Sequence, residues 1–492
     1  MQKIPGVAAI RKYSLFLLIF FSFILSSHFA YSADTDTDSP FIQVAGLIDN
    51  RSTFSDGEHS IEELVMIARS RGFKTFFIND HDRIAIAYGL PPFKNILRYK
   101  KELPSIQTNG VKKYLQEIDR VSSMFPDMLI IPGCETSAYY YWTGSYFKED
   151  LTAHDYDKRI LILNFDEPDD YNNIPNLHNK MSMRYTKRLL PAAMIFFGCL
   201  LMGVYLILCK GIFRILGFIF IIFSILTILN NNPFRSSMFT QYDGDQGIAP
   251  YQELIDYVNE RGGFTFWNYP EQKSGIRKHG PIFVNTPMYP EVIHESQNYT
   301  GFAAIYGEYT KATKPGGEWD IVLNEYCNGK REKPPWAIST GDFHEDGRLG
   351  LKLGAFPTTF LVKEFSKKAI LESIEKGRMY CSRGNGKTWP KLVDFNISGD
   401  NETKYYMGET LTSSQFPIIS FNITYETEKP KPITVHLIRG GDVIKTFEEK
   451  PPIKVEYRDE NIPQGKKTYY RVMDPKEKLV SNPIFVTYDP ES

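Results

Sequence analysis

Residues 60 to 82 read SIEELVMIARSRGFKTFFINDHD, and the parsing of this stretch decides the fold. Ser60 and Glu63 have the spacing of a capping box, in which a hydroxyl and a carboxylate each take a backbone N–H that the first helical turn leaves unpaired. Ile61, Leu64, Val65 and Ala68 recur at helical spacing and form one apolar face, and Gly72 ends the helix. KTFFIND then reads as a short buried strand, followed at once by Asp80, His81 and Asp82. The same grammar returns at residues 250 to 270, PYQELIDYVNERGGFTFWNYP: a helix from about Tyr251, a stop at Gly262 and Gly263, and a strand from Phe264 to Trp267. Repeated helix-then-strand units predict parallel strands with crossover helices, as in an α/β barrel or a layered sheet. In such barrels, the polar residues just past strand ends build the site.

Outward from this core the style changes twice. From about Val393 the chain becomes short alternating strands, with Gly440-Gly441-Asp442 as a hairpin turn, and residues 393–492 read as an immunoglobulin-like β-sandwich. Before it, Leu189 to Leu208 carries no charge, and Ile212 to Leu229 carries only Arg214. Each is long enough to cross a bilayer, and with Cys209-Lys210-Gly211 between them they read as a transmembrane helical hairpin over residues 186–232. The competing reading is two buried core helices, although a soluble core helix is rarely apolar on every face for so long. Two crossings return the chain to the side it left, so residues 34–185 and 233–392 are expected to form one barrel. Basic residues flank the hairpin on both sides, Arg184, Lys187 and Arg188 against Lys210 and Arg214, so their asymmetry does not orient it. Residues 1–33 read as an export signal, with Lys3, Arg11 and Lys12, an apolar core from Leu15 to Leu25, and a cut after Ser32 or Ala33; an uncleaved anchor is the alternative. Either way the expectation is a cell-membrane protein with its bulk on the periplasmic or extracellular side.

The chain has 492 residues, 42% apolar and 23% charged, enough for two or three folded domains. A formal net charge of −1 and the absence of basic tails argue against a nucleic-acid partner. Of five cysteines, Cys199 and Cys209 fall in the apolar hairpin; Cys134, Cys327 and Cys381 give neither a disulfide framework nor a CxxC zinc site, although one pair could bridge in an oxidising compartment.

Four strand ends finish in metal-compatible groups. These are Asp49 with Ser55-Asp56, then Asp80-His81-Asp82, then Glu135 in LIIPGCETS, then Asp342 and His344 in AISTGDFHEDG. At any one of them a turn or cap explains the aspartate equally well. Four in one domain point to carboxylates and imidazoles converging on a divalent metal (Zn, Mn or Fe) that activates water. The remaining histidines, His59, His178, His279, His294 and His436, have no partner at useful spacing and read as surface or satisfied side chains. Arg383 to Pro390, RGNGKTWP, lacks the spacing of a phosphate-binding loop and reads as a linker. The aromatic run YYYWTGSYF, Tyr139 to Phe147, reads equally as a cleft wall or a lid.

The order of motifs resembles the PHP (polymerase and histidinol phosphatase) family, specifically its exported members with a C-terminal β-sandwich. That family reads HxH(S/T)xxSDG, a helix, TDHD, PGxE, GGxxxxxHP and DxH; this chain has DNRSTFSDG, NDHD, PGCE, GGFTFWNYP and GDFH in that order, with PGGEWDIVL and LVSNPIFV also similar. The resemblance covers about residues 41 to 185 and 236 to 490, and it implies a distorted (β/α)7 barrel, up to three metals and phosphoester hydrolysis. It places Asp56, His81 and His344 on one metal, a complete set. It places Glu135 and Asp342 on a second, normally completed by the two histidines of HxH. Those positions hold Asp49, which can still bind a metal, and Arg51, which cannot. For the third, the HP histidine aligns with Tyr269 and another with Arg159, with nearby His154 as a substitute.

The pattern therefore implies one metal rather than three, with Arg51 neutralising Glu135 and Asp342 where an ion is missing, and Arg159 doing likewise beside it. An alignment slip that leaves Arg51 in solvent is the alternative. Three functions are compatible with this. One is a membrane-anchored phosphoesterase of reduced or altered activity, with Arg51 and Arg159 stabilising charge on the phosphate. The second is a non-catalytic metal- or anion-binding module. The third is a membrane-tethered assembly protein that works through its sandwich. The expected partners are the membrane and a phosphorylated small molecule, lipid head group or surface polymer.

Overall fold

In the computed structural model the helix of the opening stretch spans Ile61–Ser70, with both halves of the Ser60–Glu63 capping box made and Ile61, Leu64, Val65 and Ala68 buried. The structure describes residues 39–178, 182–347, 351–400, 403–426 and 431–491. The export signal read at residues 1–33 lies outside them. The second helix–strand unit forms as a helix over Ala249–Asn259 and a strand over Phe264–Asn268.

The fold is mixed α/β, built on one large curled sheet. Its hydrogen-bonded path runs from Trp336–Ser339 through Gly301–Ile305, Phe264–Asn268, Arg159–Leu163, Leu129–Thr136, Thr75–Ile78 and Ile42–Asn50 to Pro357–Val362 and Met379–Ser382. The path then bends back on itself. The Ser339 amide donates to Thr358 Oγ1 at 2.9 Å, and the Gly341 amide to the Ile48 carbonyl at 3.1 Å. The curl brings the ends of strands distant in sequence to one mouth.

The strands are not all parallel, as the helix–strand grammar predicts. Ile42–Asn50, Thr75–Ile78 and Leu129–Thr136 run parallel, but Arg159–Leu163 pairs antiparallel with both of its neighbours, and Pro357–Val362 is antiparallel to Ile42–Asn50. The reason is the connection. No crossover helix lies between Glu135 and Arg159; the chain instead passes through a small separate sheet that contains Tyr141–Thr143 and Thr152–His154, and re-enters from the same end. The Val111–Met124 helix is tied to the sheet by Tyr114, whose hydroxyl lies 3.2 Å from the Ile78 carbonyl and 3.0 Å from that of Gly133.

Two apolar helices, Thr186–Leu208 and Ile212–Asn230, form a hairpin whose side chains are mostly uncovered by protein; by length and composition they are able to cross a membrane. They touch at glycines. A Cβ on Gly203 would lie 2.8 Å from Ile221 Cγ1, and one on Gly217 would lie 2.7 Å from the Ile207 nitrogen. Small residues at such contacts let two helix backbones approach without side chains between them. The base of the pair is tied to the rest by Asn95, whose amide and side chain bond to Asn230 at 2.9 Å each.

The C-terminal strands continue the curled sheet. Tyr380 pairs with Ser481 and Cys381 with Val480, so Met379–Ser382 and Leu479–Ser481 are hydrogen-bonded neighbours. Lys391–Ser398, Ile418–Thr424 and Ile453–Arg458 belong to a second sheet. Phe395, Ile397 and Phe421 from that sheet, with Leu437, Val472 and Val486 from the first, form a second hydrophobic core. A fully buried fork joins the two regions: Arg471 donates to both oxygens of Asp320, at 2.8 and 2.7 Å, and the Tyr469 hydroxyl donates to one of them at 2.7 Å. All five cysteines are free.

Candidate metal centre and its buried guanidinium

The centre begins where the Ile42–Asn50 strand ends. Asp49 takes a left-handed backbone conformation, φ 72°, and Asp342 does the same at 43°. Non-glycine residues rarely sit there, and at strand ends such turns re-aim side chains. The next residues are fixed by Asp80, whose carboxylate accepts from the Ser52 amide at 2.8 Å and from the Ser52 and Ser55 hydroxyls at 2.6 Å each. Asp80 is thus spent on holding the loop, and Asp82 accepts from the Asn176 amide group at 2.7 Å. Of the Asp80-His81-Asp82 triplet, the histidine alone reaches the centre.

The clamped loop presents Asp56 between two imidazoles. His344 Nε2 lies 3.2 Å from one oxygen of Asp56, and His81 Nε2 lies 3.5 Å from the other. One ligand atom from each of the three lies within 4.8 Å of the others, and Asp56 is the most exposed of them. A tetrahedral zinc site with bonds of about 2.1 Å places its ligand atoms roughly 3.4 Å apart. Two imidazoles and a carboxylate at these spacings fit a divalent ion. His344 Nδ1 donates to the Asp342 carbonyl at 2.7 Å, a bond that leaves Nε2 as the bare, metal-competent nitrogen. His81 Nδ1 lies 3.1 Å from Glu135, without the alignment of a hydrogen bond.

Behind this group sits Arg51, 1% exposed. Its guanidinium pairs with Asp49, reaches the Asn79 carbonyl, and lies 2.9 Å from Glu135 and 3.6 Å from Asp342. The guanidinium is therefore buried among the acids, not in solvent. The sequence points to Glu135 and Asp342 as its acceptors; Asp49, at the left-handed turn that ends the strand, joins them. Asn268 bridges the same acids, donating to Asp49 at 3.0 Å and to Glu135 at 2.7 Å. Asn79 accepts the Asp49 amide at 3.0 Å. Neither asparagine was singled out from the sequence. The one available signal for Asn268 is its place at the end of a buried strand, just before Tyr269-Pro270.

Arg159 stands beside the cluster, with Nε 3.9 Å from Glu135 and Nη2 3.6 Å from Asp157. Tyr269 is buried against Tyr306, with no partner for its hydroxyl among the described residues. His154 is not part of the centre: it stacks on Tyr141 and bonds Thr143 at 2.7 Å in the small sheet. Asp49, Glu135 and Asp342 gather around Arg51 and fall outside the three-ligand group.

The charges explain the arrangement. Three carboxylates share one guanidinium. Burial pushes Asp49 up to about 7; Arg51 opposes this, and the charges of Glu135 and Asp342 add to it. Burial also works to raise Glu135, but Arg51, His81 and Arg159 outweigh it and hold that carboxyl well below the usual range. For Asp56, burial is outweighed by the hydrogen bonds of His344 and His81, and the carboxyl is held low. Burial disfavours charge on both imidazoles, and Arg51 adds to this, yet Asp56 with Glu135 raises His81, and Asp56 with Asp342 raises His344. In the metal-free chain the neighbouring carboxylates thus favour protonation of the nitrogens that an ion would take.

No protein-family model matches the chain, and no curated protein matches it. Among solved structures, one similar chain is a two-domain protein from Bacteroides vulgatus containing a predicted PHP-like metal-dependent phosphoesterase. It has 12% identity over 91% of this chain and 95% of that one, with a TM-score of 0.38. Another, from Bifidobacterium adolescentis, is described as a metal-dependent phosphoesterase. It has 14% identity over 61% of this chain and 87% of that one, with a TM-score of 0.28.

Proposed function

We propose that the chain is an exported, membrane-anchored phosphoesterase of the PHP type, working with a single divalent ion held by Asp56, His81 and His344. In this reading residues 34–185 and 233–392 form the distorted (β/α)7 barrel, residues 186–232 anchor it, and residues 393–492 form a β-sandwich. The observation that carries it is the meeting of three ligand atoms, from positions as far apart as 56 and 344, within 4.8 Å. The order of motifs around those residues supports it.

The ion, when bound, supplies a water of lowered pKa and a Lewis acid for a phosphoryl oxygen. The protein's part follows from its geometry. Glu135 stands against the far nitrogen of His81 and favours a ring orientation that offers Nε2 to the ion. His344 is fixed by the Asp342 carbonyl in the matching tautomer. Asp56 supplies the negative charge that makes the site cation-selective. Arg51, always protonated, replaces the positive charge of a second ion for Glu135 and Asp342 without offering an open coordination position. Arg159, bound only at long range, is free to stabilise charge on a phosphate. The substrate class is a phosphate ester on a small molecule, a lipid head group or a surface polymer, and the hairpin puts the last two within reach.

A second reading, a metal- or anion-binding module without turnover, is favoured by the same Arg51, since a guanidinium cannot activate water. The test is mass-spectrometric metal content of the full chain in detergent, with turnover of p-nitrophenyl phosphate and bis-p-nitrophenyl phosphate. About one metal per chain, with hydrolysis abolished by His81→Ala, supports the enzyme. Metal without hydrolysis supports the module, and no metal removes both metal-based readings.

A further inference from the structure

The loop that joins the strands Ile84–Gly89 and Arg98–Leu103 reads LPPFKNIL, Leu90 to Leu97. Loop tips in water are built from polar and turn-forming residues; this one is apolar but for Lys94 and Asn95. Leu90 and Leu97 are 44% and 54% exposed, and Pro91 and Pro92 are exposed beside them. The loop is fixed against the apolar hairpin. Asn95 bonds through its amide and its side chain to Asn230, the last residue of the second helix. Two residues earlier, Phe93 sets its ring edge-on to that of Phe223, with the centroids 6.1 Å apart.

That second contact measures depth. The helix Ile212–Asn230 has 19 residues, a rise of about 28 Å, and a hydrocarbon core is about 30 Å thick. With no length to spare, such a helix crosses only if all of it lies in the bilayer. Phe223 comes seven residues before Asn230, about 10 Å along the axis. Helical side chains lean toward the N-terminal end, here away from Asn230 and deeper still. A ring in contact with Phe223 is therefore below the level of the head groups.

The backbone of the loop suits that place. Pro91 and Pro92 have no N–H to leave unpaired in hydrocarbon. The Leu90 amide donates to the Leu97 carbonyl at 2.9 Å, and the Ile96 and Leu97 amides donate to the Phe93 carbonyl at 3.0 and 2.8 Å. The one charge, Lys94, is drawn off to the Tyr242 ring, with Nζ 4.7 Å from the centroid. Arg98 and Tyr99 follow, both exposed, and both are residue types that settle among head groups.

We infer that the Leu90–Leu97 loop is a second membrane contact, a wedge that enters the acyl-chain region of a phospholipid bilayer beside the hairpin. The inference rests on the reading of the hairpin as membrane-spanning. With two points of attachment, the folded domain does not swing freely about its tether. Leu90 follows His81 by nine residues, so His81 stands within about 30 Å of lipid, the reach of nine extended residues.

The experiment adds one tryptophan at a time to the full chain, in phosphatidylcholine nanodiscs with plain or brominated acyl chains. Bromine quenches indole emission on contact, and the parent, with five tryptophans of its own, supplies the background to subtract. Leu97→Trp and Leu90→Trp, both at exposed apolar positions, should lose most of the added emission in brominated lipid. Phe220→Trp, at an exposed position of the second helix, reports on the hairpin alone and should lose it as well. Val443→Trp, on the C-terminal strand Asp442–Glu449, should keep it and sets the baseline. The unfolding midpoint identifies a loop variant that fails to fold, and the other loop position then decides. Quenching at Phe220→Trp, with the loop tryptophans no more quenched than Val443→Trp, overturns the wedge and leaves the anchor standing. No quenching at Phe220→Trp removes the membrane-spanning reading and the wedge with it.

Discussion

Replacing Arg51 with methionine removes the one cation at the centre of the acid cluster and keeps most of its volume. Asp49, Glu135 and Asp342 then face one another with Arg159 at 3.9 Å from Glu135 as the nearest remaining guanidinium. Removing one partner of a buried ion pair costs about 3–5 kcal/mol, because the other charge stays behind uncompensated. For a unit the size of Phe41–Ser492, with an unfolding entropy on the order of 1 kcal/mol per degree, the thermal midpoint falls by about 3–5 °C. The sign with pH is the sharper test. In the parent, Glu135 is held low, so its contribution is present above the unfolded carboxyl value and is lost only as pH falls through the lower folded value. In Arg51→Met, Glu135 joins Asp49 above the ordinary range. The native form then binds more protons than the unfolded chain between about pH 4 and 7, and its stability falls as pH rises. Acidification from pH 7.5 to 5 should therefore narrow the gap between variant and parent, by about 1.4 kcal/mol for each pH unit over which one carboxyl keeps its extra proton. Differential scanning fluorimetry in EDTA at the two pH values measures both quantities. A variant as stable as the parent at pH 7.5, or destabilised equally at both, would refute the reasoning.

Other outcomes follow from the same geometry. His344→Ala should reduce bound metal from about one per chain to none, whereas Asp80→Asn, which loosens the Ser52–Ser55 loop, should weaken metal binding without abolishing it; inductively coupled plasma mass spectrometry separates them. Asp49→His together with Arg51→His rebuilds the two-histidine pattern and should raise the metal content above that of the parent. Because His81 and His344 are both raised, the metal-free chain draws stability from their protonation that is full below the unfolded histidine value and lost as pH rises through the folded values. Stabilisation by added Zn should run the other way, weakening as pH falls and protons reclaim the two nitrogens, which thermal shifts with and without Zn across pH 5.5–8 will show. A chain ending at residue 392 should fail to give soluble folded protein, since it leaves Asp320 buried without Arg471 and strips the neighbour strand from Met379–Ser382.

Much of this architecture is legible in the sequence where physics is local. The capping box at Ser60, the stop at Gly72 and the uninterrupted apolar run after Leu189 each specify their element within a few residues. The ligand group is legible for a different reason: Asp56, His81 and His344 each follow an apolar strand, and in a wound sheet strand ends gather. The direction of Arg159–Leu163 is not legible, because an apolar run carries no sign of which way it pairs. Asn79 and Asn268 escape notice because one amide at a strand end has no periodicity and no charge. His178, read as a surface or satisfied side chain, is hydrogen-bonded to a tyrosine hydroxyl 38 residues away, a contact with no local signal. The join between Met379–Ser382 and the C-terminal strands hides in the pairing of Cys381 with Val480, a contact that no local pattern encodes.

The place of the apolar hairpin in the chain bears on how the protein is made. The strand that carries Asp49 lies between Thr75–Ile78 and Pro357–Val362, and His344 and Asp342 also come from beyond residue 340. Residues 186–232 leave the ribosome before any of these later pieces exist. If the hairpin spans the bilayer, the first portion is moored before its closing strand has been synthesised, and the sheet must be finished at the lipid surface. Assembly of the Asp56, His81 and His344 group is then a late, post-insertion event, because His344 is made after the hairpin.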